Sequence, residues 1–184
     1  WILRNGAERF HAVGTARSAG TKVFSLTGKI CHGGLIEVPM GTTLREIVEQ
    51  IGGGIANGRA FKAVQIGGPS GGCIPAERAD LPVDYDALTG AGAMMGSGGL
   101  VVLDERDRMV DIARYFLTFT QSQSCGRCTF CRVGTRRMLD ILDRLCEGKG
   151  RAGDIGRLEE LARAVAAASL CGLGRTAPNP VLST

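Results

Sequence analysis

The sequence predicts an α+β protein in two parts, a small mixed sheet with one crossing helix and then an α-helical bundle. Two observations carry this. Short apolar runs bounded by glycine and proline fill the chain up to Asp107, and beyond it the apolar residues recur at helical spacing. In chain order, residues 1–20 read as a short helix and a glycine-bounded connector. Residues 21–30 alternate as a strand, with Val23 and Leu26 expected inside and Phe24 on the other face. Residues 35–38 make a second strand, closed by Pro39. Thr43-Leu44-Arg45-Glu46 spells a capping box, and Ile47, Val48 and Ile51 follow as the apolar face of a helix that glycines 52–54 stop. Strands are expected again at 61–66 and 100–104. Strand, strand, helix, strand, strand is the order of a β-grasp-like domain.

Past Asp107, Met109, Ile112, Ala113, Phe116 and Phe119 or Thr120 form one helical face. A second helix is expected from Arg132 to Cys146, with Met138, Ile141, Leu142 and Leu145 inward, and a third from about Ile155 to Ser169. The expected division is therefore 1–20 as a leading segment, 21–107 as the β-grasp-like domain and 108–184 as the helical bundle.

Composition excludes several classes of function. Apolar residues make up 44% and charged residues 22% of the 184, the balance of an ordinary globular protein. Aromatics reach only 5%, so the core must rest on aliphatic side chains. The net charge of +4 is not organised as a basic stripe interleaved with aromatics, which argues against nucleic acid as a partner. No apolar run approaches the roughly 18 residues of a membrane span, and no signal peptide precedes the first strand. The opening at Trp1, with Ile2 and Leu3 already suited to a packed element, points to a piece of a longer protein. Seven cysteines without an export signal favour metal binding in a reducing, cytoplasmic compartment over a disulfide framework.

The most informative stretch is Ser124-Cys125-Gly126-Arg127-Cys128-Thr129-Phe130-Cys131. Three thiolates spaced by three can grip three corners of one iron–sulfur cluster, whereas structural zinc more often uses separated pairs. Cys146 and Cys171 compete to be the fourth ligand. Cys146 falls on the apolar face of the second helix, where a cysteine behaves as a small hydrophobe. Cys171 follows the third helix in a glycine-rich turn. The second helix carries the chain about 22 Å from Cys131 at 1.5 Å per residue, and an antiparallel third helix of similar length brings it back. Cys171 should therefore arrive beside the CxxCxxC loop, with Cys146 at the far end. The expected metal ligands are Cys125, Cys128, Cys131 and Cys171, holding one [4Fe–4S] cluster.

Cys131 is expected just before a helix whose free N–H groups favour an anion. Arg127 and Arg132 are candidates to tune the cluster potential, and Arg136 and Arg137 read as a solvated or docking face. Cys31 and Cys73 stand alone and read as buried or incidental. His11 and His32 lack catalytic neighbours, and no catalytic residue is assigned. Gly67-Gly68-Pro69-Ser70-Gly71-Gly72 lacks the Lys-Ser/Thr of a phosphate loop and reads as a tight loop. A structural zinc site on the same cysteines, or a subunit-docking module, is the alternative reading.

The succession GTKVFSLTGKI, LIEVPMGTTLREIV, FKAVQIGGPSGGCIPAE, SCGRCTFCRVGTRRMLDIL and SLCGLGRTAPNPVLST resembles the flavin-bearing, NADH-oxidising subunit of respiratory complex I. The resemblance extends to subunits of NAD(P)-linked hydrogenases and formate dehydrogenases, with GGPSGGCIPAERADLPVDYDAL and MMGSGGLVVLDE most similar to that branch. It implies a soluble-ligand-binding β-grasp domain before the bundle, and a cluster on the same four cysteines. That cluster would take electrons from FMN and pass them to iron–sulfur centres of partner subunits. Phe130 departs from the usual proline between the last two ligands of the run. No GRGGAGF-type stretch is present, so the resemblance implies that FMN and NAD(P)H bind in a domain preceding this region, with 1–20 as its tail. The partners implied are that domain and the other iron–sulfur subunits of a multisubunit oxidoreductase. Any membrane association would run through those subunits, without direct insertion, and the chain alone is not expected to oxidise NADH.

Overall fold

A computed structural model describes residues 1–184, and the chain divides into two compact units. One comprises Trp1–Gly67 with Cys73–Arg106, the other Gly68–Gly72 with Asp107–Thr184.

The first unit opens with two short helices, α1 (Ile2–Asn5) and α2 (Ala7–His11), in place of the single expected helix. Gly6 separates them with φ of 90°, a conformation that interrupts the helical ladder. Five strands follow: β1 (Thr21–Gly28), β2 (Gly34–Pro39), β3 (Phe61–Ile66), β4 (Gly72–Pro75) and β5 (Gly99–Asp104). They lie in the order β2-β1-β5-β3-β4. β1 runs antiparallel to β2 and parallel to β5, and β3 is antiparallel to β5. This mixed sheet has the β-grasp-like layout. The edge strand β4 was not expected, because four residues with Gly and Pro at the ends carry no alternation to read.

One strand face corrects the sequence reading. Phe24 and Leu26 are fully buried, whereas Val23 is exposed. Residues two apart share a face, so Val23 could not point inward with Leu26. Phe24 pairs with the half-buried Ile36 across the ladder. Burying it contributes about 1.5–3 kcal/mol.

The capping box forms as spelled: Thr43 Oγ1 accepts from Glu46 N–H, and the Glu46 carboxylate accepts from Thr43 N–H at 2.8 Å. It starts α3 (Leu44–Glu46), which continues as a π turn over Ile47–Ile51. Gly52 N–H bonds to Ile47 O there, one residue further back than in an α-helix. Ile47 and Val48 are therefore buried, but the wider turn carries Ile51 out, contrary to expectation. A second unexpected element, α4 (Tyr85–Gly90), is capped by Asp84, whose carboxylate accepts from Asp86 and Ala87 N–H.

At the end of β5, Asp104 is buried, with Arg59 Nη1 at 2.9 Å and Arg106 N–H at 2.9 Å. The Arg59 hydrogen bond, more than any other influence, holds its carboxyl below the usual range against the opposing pull of burial. A depressed folded-state value means this stabilisation is complete above the unfolded-state value near 3.9 and disappears as pH falls through the lower folded one. We expect a urea midpoint nearly constant between about pH 5 and 8 and falling below about pH 4. Asp104→Asn should flatten that acid limb, and an unaltered limb in the variant would refute the assignment.

The second unit is built from α5 (Met109–Ser122), α6 (Thr135–Cys146), α7 (Asp154–Ala168), α8 (Gly172–Thr176) and α9 (Asn179–Leu182). Its core joins Ala113 and Leu117 to Met138, Leu142, Ala162 and Val165. Of the two residues expected to close the inner face of α5, Thr120 is buried and Phe119 exposed, and the face also includes Leu117, which was not expected. The α6–α7 turn is stapled by Asp154, whose carboxylate accepts from Arg144 Nη2 at 2.6 Å and Arg151 N–H at 2.9 Å. The Gly68–Gly72 segment is held by Asn179 Nδ2, which donates to Ser70 O at 2.8 Å. No helix is long and apolar enough to cross a membrane.

Candidate metal centre

The cysteine loop lies between the end of α5 and a π turn, Phe130–Gly134, that leads into α6. The helical path already begins at Thr129, so Cys131 sits inside the first turn and is not ahead of it as expected. Cys128 occupies the position before the turn. Its sulfur is approached by the N–H groups of Leu170 and Cys131, and the Leu170 contact is the largest cause of a thiol pKa below the ordinary value. Sulfur thus serves as the acceptor that an oxygen provides at an ordinary helix cap.

The Leu170 contact ties the loop to the segment after α7. Cys131 is buried and close to both Cys128 and Cys171; burial pushes its thiol pKa up, and the Ser124 hydroxyl, 3.2 Å from Sγ, opposes that. Cys125 and Cys171 are exposed, and Cys171 is the residue from which α8 starts.

Two glycines allow this approach. A Cβ on Gly134 would lie 2.4 Å from Val165 Cγ2, so only glycine lets the start of α6 press against the end of α7. A Cβ on Gly174 would lie 2.5 Å from both Cβ and Oγ of Ser169 and 3.1 Å from Cys131 Cβ. Thr135, fully buried, donates its hydroxyl to Cys131 O at 2.5 Å and fixes the peptide of that cysteine.

No three His, Cys, Asp or Glu side chains stand as closely as they would around one metal ion. The donor set at this end of the bundle is all sulfur, which suits iron–sulfur chemistry. It is accompanied by N–H groups aimed at sulfur and by the buried hydroxyl of Ser169, which has no hydrogen-bond partner. Such a hydroxyl costs about 1–3 kcal/mol if left unpaired. The residues present therefore fit a bound anionic sulfur cluster.

Arg132 donates to the carbonyl of Gly126 and braces the loop, and Arg127 is exposed. Arg136 and Arg137 pair with Asp140 on the outer face of α6. Cys146 lies at the other end of α6, about 18 Å away at 1.5 Å per residue. Burial, reinforced by the neighbouring Asp111 carboxylate, pushes its thiol up to about 11. Cys31 is exposed and Cys73 buried, both in the sheet unit. Ser169, Gly134 and Gly174 escaped the sequence reading; SLCGLG held the only signal, a serine and two glycines around a candidate ligand.

A β-grasp-like sheet and a helical unit with an all-cysteine corner define an iron–sulfur-binding module. Residues 111–184 match the NADH-ubiquinone oxidoreductase-F iron-sulfur binding region, and residues 23–74 match the SLBB domain. The chain is homologous to the F components of NADH-quinone oxidoreductases and to a related hydrogenase subunit, and matches their C-terminal portion. It is 54% identical over 183 residues to the NADP-reducing hydrogenase subunit HndC of Solidesulfovibrio fructosivorans, covering 100% of this chain and 37% of that one. To the F component of NADH-quinone oxidoreductase from Escherichia coli (strain K12) it is 38% identical over 162 residues, or 88% of this chain and 36% of the relative. An NAD+-reducing [NiFe]-hydrogenase in its H2-reduced state superposes with a TM-score of 0.87 at 34% identity, over 99% of this chain and 30% of that one. The chain thus spans little more than a third of the two relatives' lengths.

Proposed function

We propose that the helical unit holds one [4Fe–4S] cluster on Cys125, Cys128, Cys131 and Cys171 and serves as an electron relay. The carrying observation is the Leu170–Cys128 contact, by which the segment bearing Cys171 returns to the CxxCxxC loop. A cluster bound there supplies one-electron transfer with little rearrangement. The chain's own part is to hold four thiolates, turn N–H groups toward them and keep the Cys131 corner out of water. In the whole protein, the relay links FMN, reduced by NAD(P)H, to iron–sulfur centres of partner subunits. Both FMN and NAD(P)H would bind in the portion of the relatives' length that this chain does not span. The names of the hydrogenase and quinone oxidoreductase relatives support the NAD(P)H part of that reading. A cytoplasmic location fits the reduced thiols that such a site needs.

The test is an anaerobic iron and zinc count with a visible spectrum before and after dithionite. We expect about four irons per chain and a broad band that bleaches on reduction. Stoichiometric zinc without a visible band would replace the relay with a structural metal module.

A further inference from the structure

Four hydroxyl side chains are buried in this protein: Ser18, Thr120, Thr135 and Ser169. Three have partners. Thr120 donates to Phe116 O, Thr135 donates to Cys131 O, and Ser18 accepts from Tyr85 N–H. Ser169, only 2% exposed, has none for its hydroxyl. Its backbone is nevertheless fixed, with N–H donating to Val165 O at 3.1 Å and O accepting from Arg175 Nε at 3.2 Å. The backbone therefore cannot carry the hydroxyl to another partner, and only rotation about its own χ1 is open to it. Its Oγ borders the space above Gly174 that is also bordered by Cys131 Cβ. An orphan donor is costly to leave unpaired, and the side chain that shares this space with it is that of a cysteine, Cys131.

We propose that the Ser169 hydroxyl donates a hydrogen bond to a sulfur of the bound cluster site and thereby raises its reduction potential. The inference rests on the cluster assignment proposed above. A donor to sulfur stabilises the reduced, more negative state over the oxidised one, so its removal makes reduction harder. Ser124, at 3.2 Å from Cys131 Sγ, would act in the same sense from the other side. Ser169 is a positioning and tuning residue, not a ligand.

The experiment is potentiometry monitored by electron paramagnetic resonance on the anaerobically purified intact chain, with iron counted on the same samples. Ser169→Ala should keep its iron while the equilibrium constant for reduction falls roughly tenfold, about 59 mV for one electron. An exchangeable-proton coupling to the reduced cluster should also disappear in the variant. Retained iron with an unchanged potential and an unchanged coupling would overturn the proposal. Should alanine strip the cluster, Ser169→Thr and Ser169→Val decide, since they match in size and differ in the hydroxyl. Threonine binding iron at a higher potential than valine, or binding iron where valine does not, supports the donor, and identical behaviour overturns it. Iron in the unaltered chain tests the cluster assignment and the variants' potential tests Ser169, so the two readings fail separately.

Discussion

Replacing Cys171 with serine is expected to strip most of the iron from the protein, whereas Cys146→Ser leaves the iron content and visible spectrum unchanged. The expectation follows from the path of the chain. α6 leaves the cysteine loop and ends at Cys146, and α7 runs back with Val165 packed where Gly134 has no side chain. Leu170 then reaches the sulfur of Cys128, and Cys171 is the next residue. On the proposed ligand set, loss of this thiolate would leave an iron corner open to solvent, because Cys171 lies on the surface. Serine offers a harder ligand that stays protonated at neutral pH, so it is a poor substitute. At Cys146 the hydroxyl of serine can take over the contact with Asp111, leaving only a small change in packing. Iron lost from Cys146→Ser but kept by Cys171→Ser would refute the ligand set.

Gly174→Ala should be nearly as damaging, although it adds a single methyl group and touches no ligand sulfur. The added carbon would fall 2.5 Å from two atoms of Ser169 and 3.1 Å from Cys131 Cβ, and these belong to segments fixed by backbone hydrogen bonds. Relief requires one of the two cysteine-bearing segments to move. Overpacking of this kind costs about 1–3 kcal/mol, and here the displacement falls on cluster geometry as well. Gly172→Ala is the matched control. It lies in the same short helix, and a Cβ there meets nothing within 4 Å. Iron content and the urea midpoint should fall together in Gly174→Ala and hold in Gly172→Ala. Equal iron in the two variants would show that close packing at Gly174 does not shape the site.

The helical half was legible because its signals are periodic and local. Met138, Ile141 and Leu142 recur at helical spacing, and a fixed rise per residue converts two helix lengths into the return of Cys171. The capping box at Thr43 was readable for the same reason, since both partners lie within one turn. The failures differ in kind. Val23 was placed inside with Leu26 although they stand three positions apart, and the two-residue alternation by itself puts Phe24 on the face of Leu26. The π turn that exposes Ile51 has no composition of its own. Asp84 did offer a cap signal for α4, but six residues are too few for a period to stand out. At the site, the candidate cysteines stood out by the CxxCxxC spacing and by the expected return of the third helix, whereas Ser169 and Gly174 could be found only from what lies across from them in space.

The pairing of Cys146 with Asp111 bears on how the protein acquires its iron. A thiol whose pKa stands near 11 remains almost wholly protonated in a neutral cell, and the protonated form neither binds iron well nor attacks disulfides readily. The helical unit contains a fifth cysteine, yet the carboxylate beside it and its burial keep that sulfur out of ligand exchange. On the proposed ligand set, iron delivered to the bundle would meet four thiols at one end, while the protonated Cys146 at the other end would be a poor competitor for it.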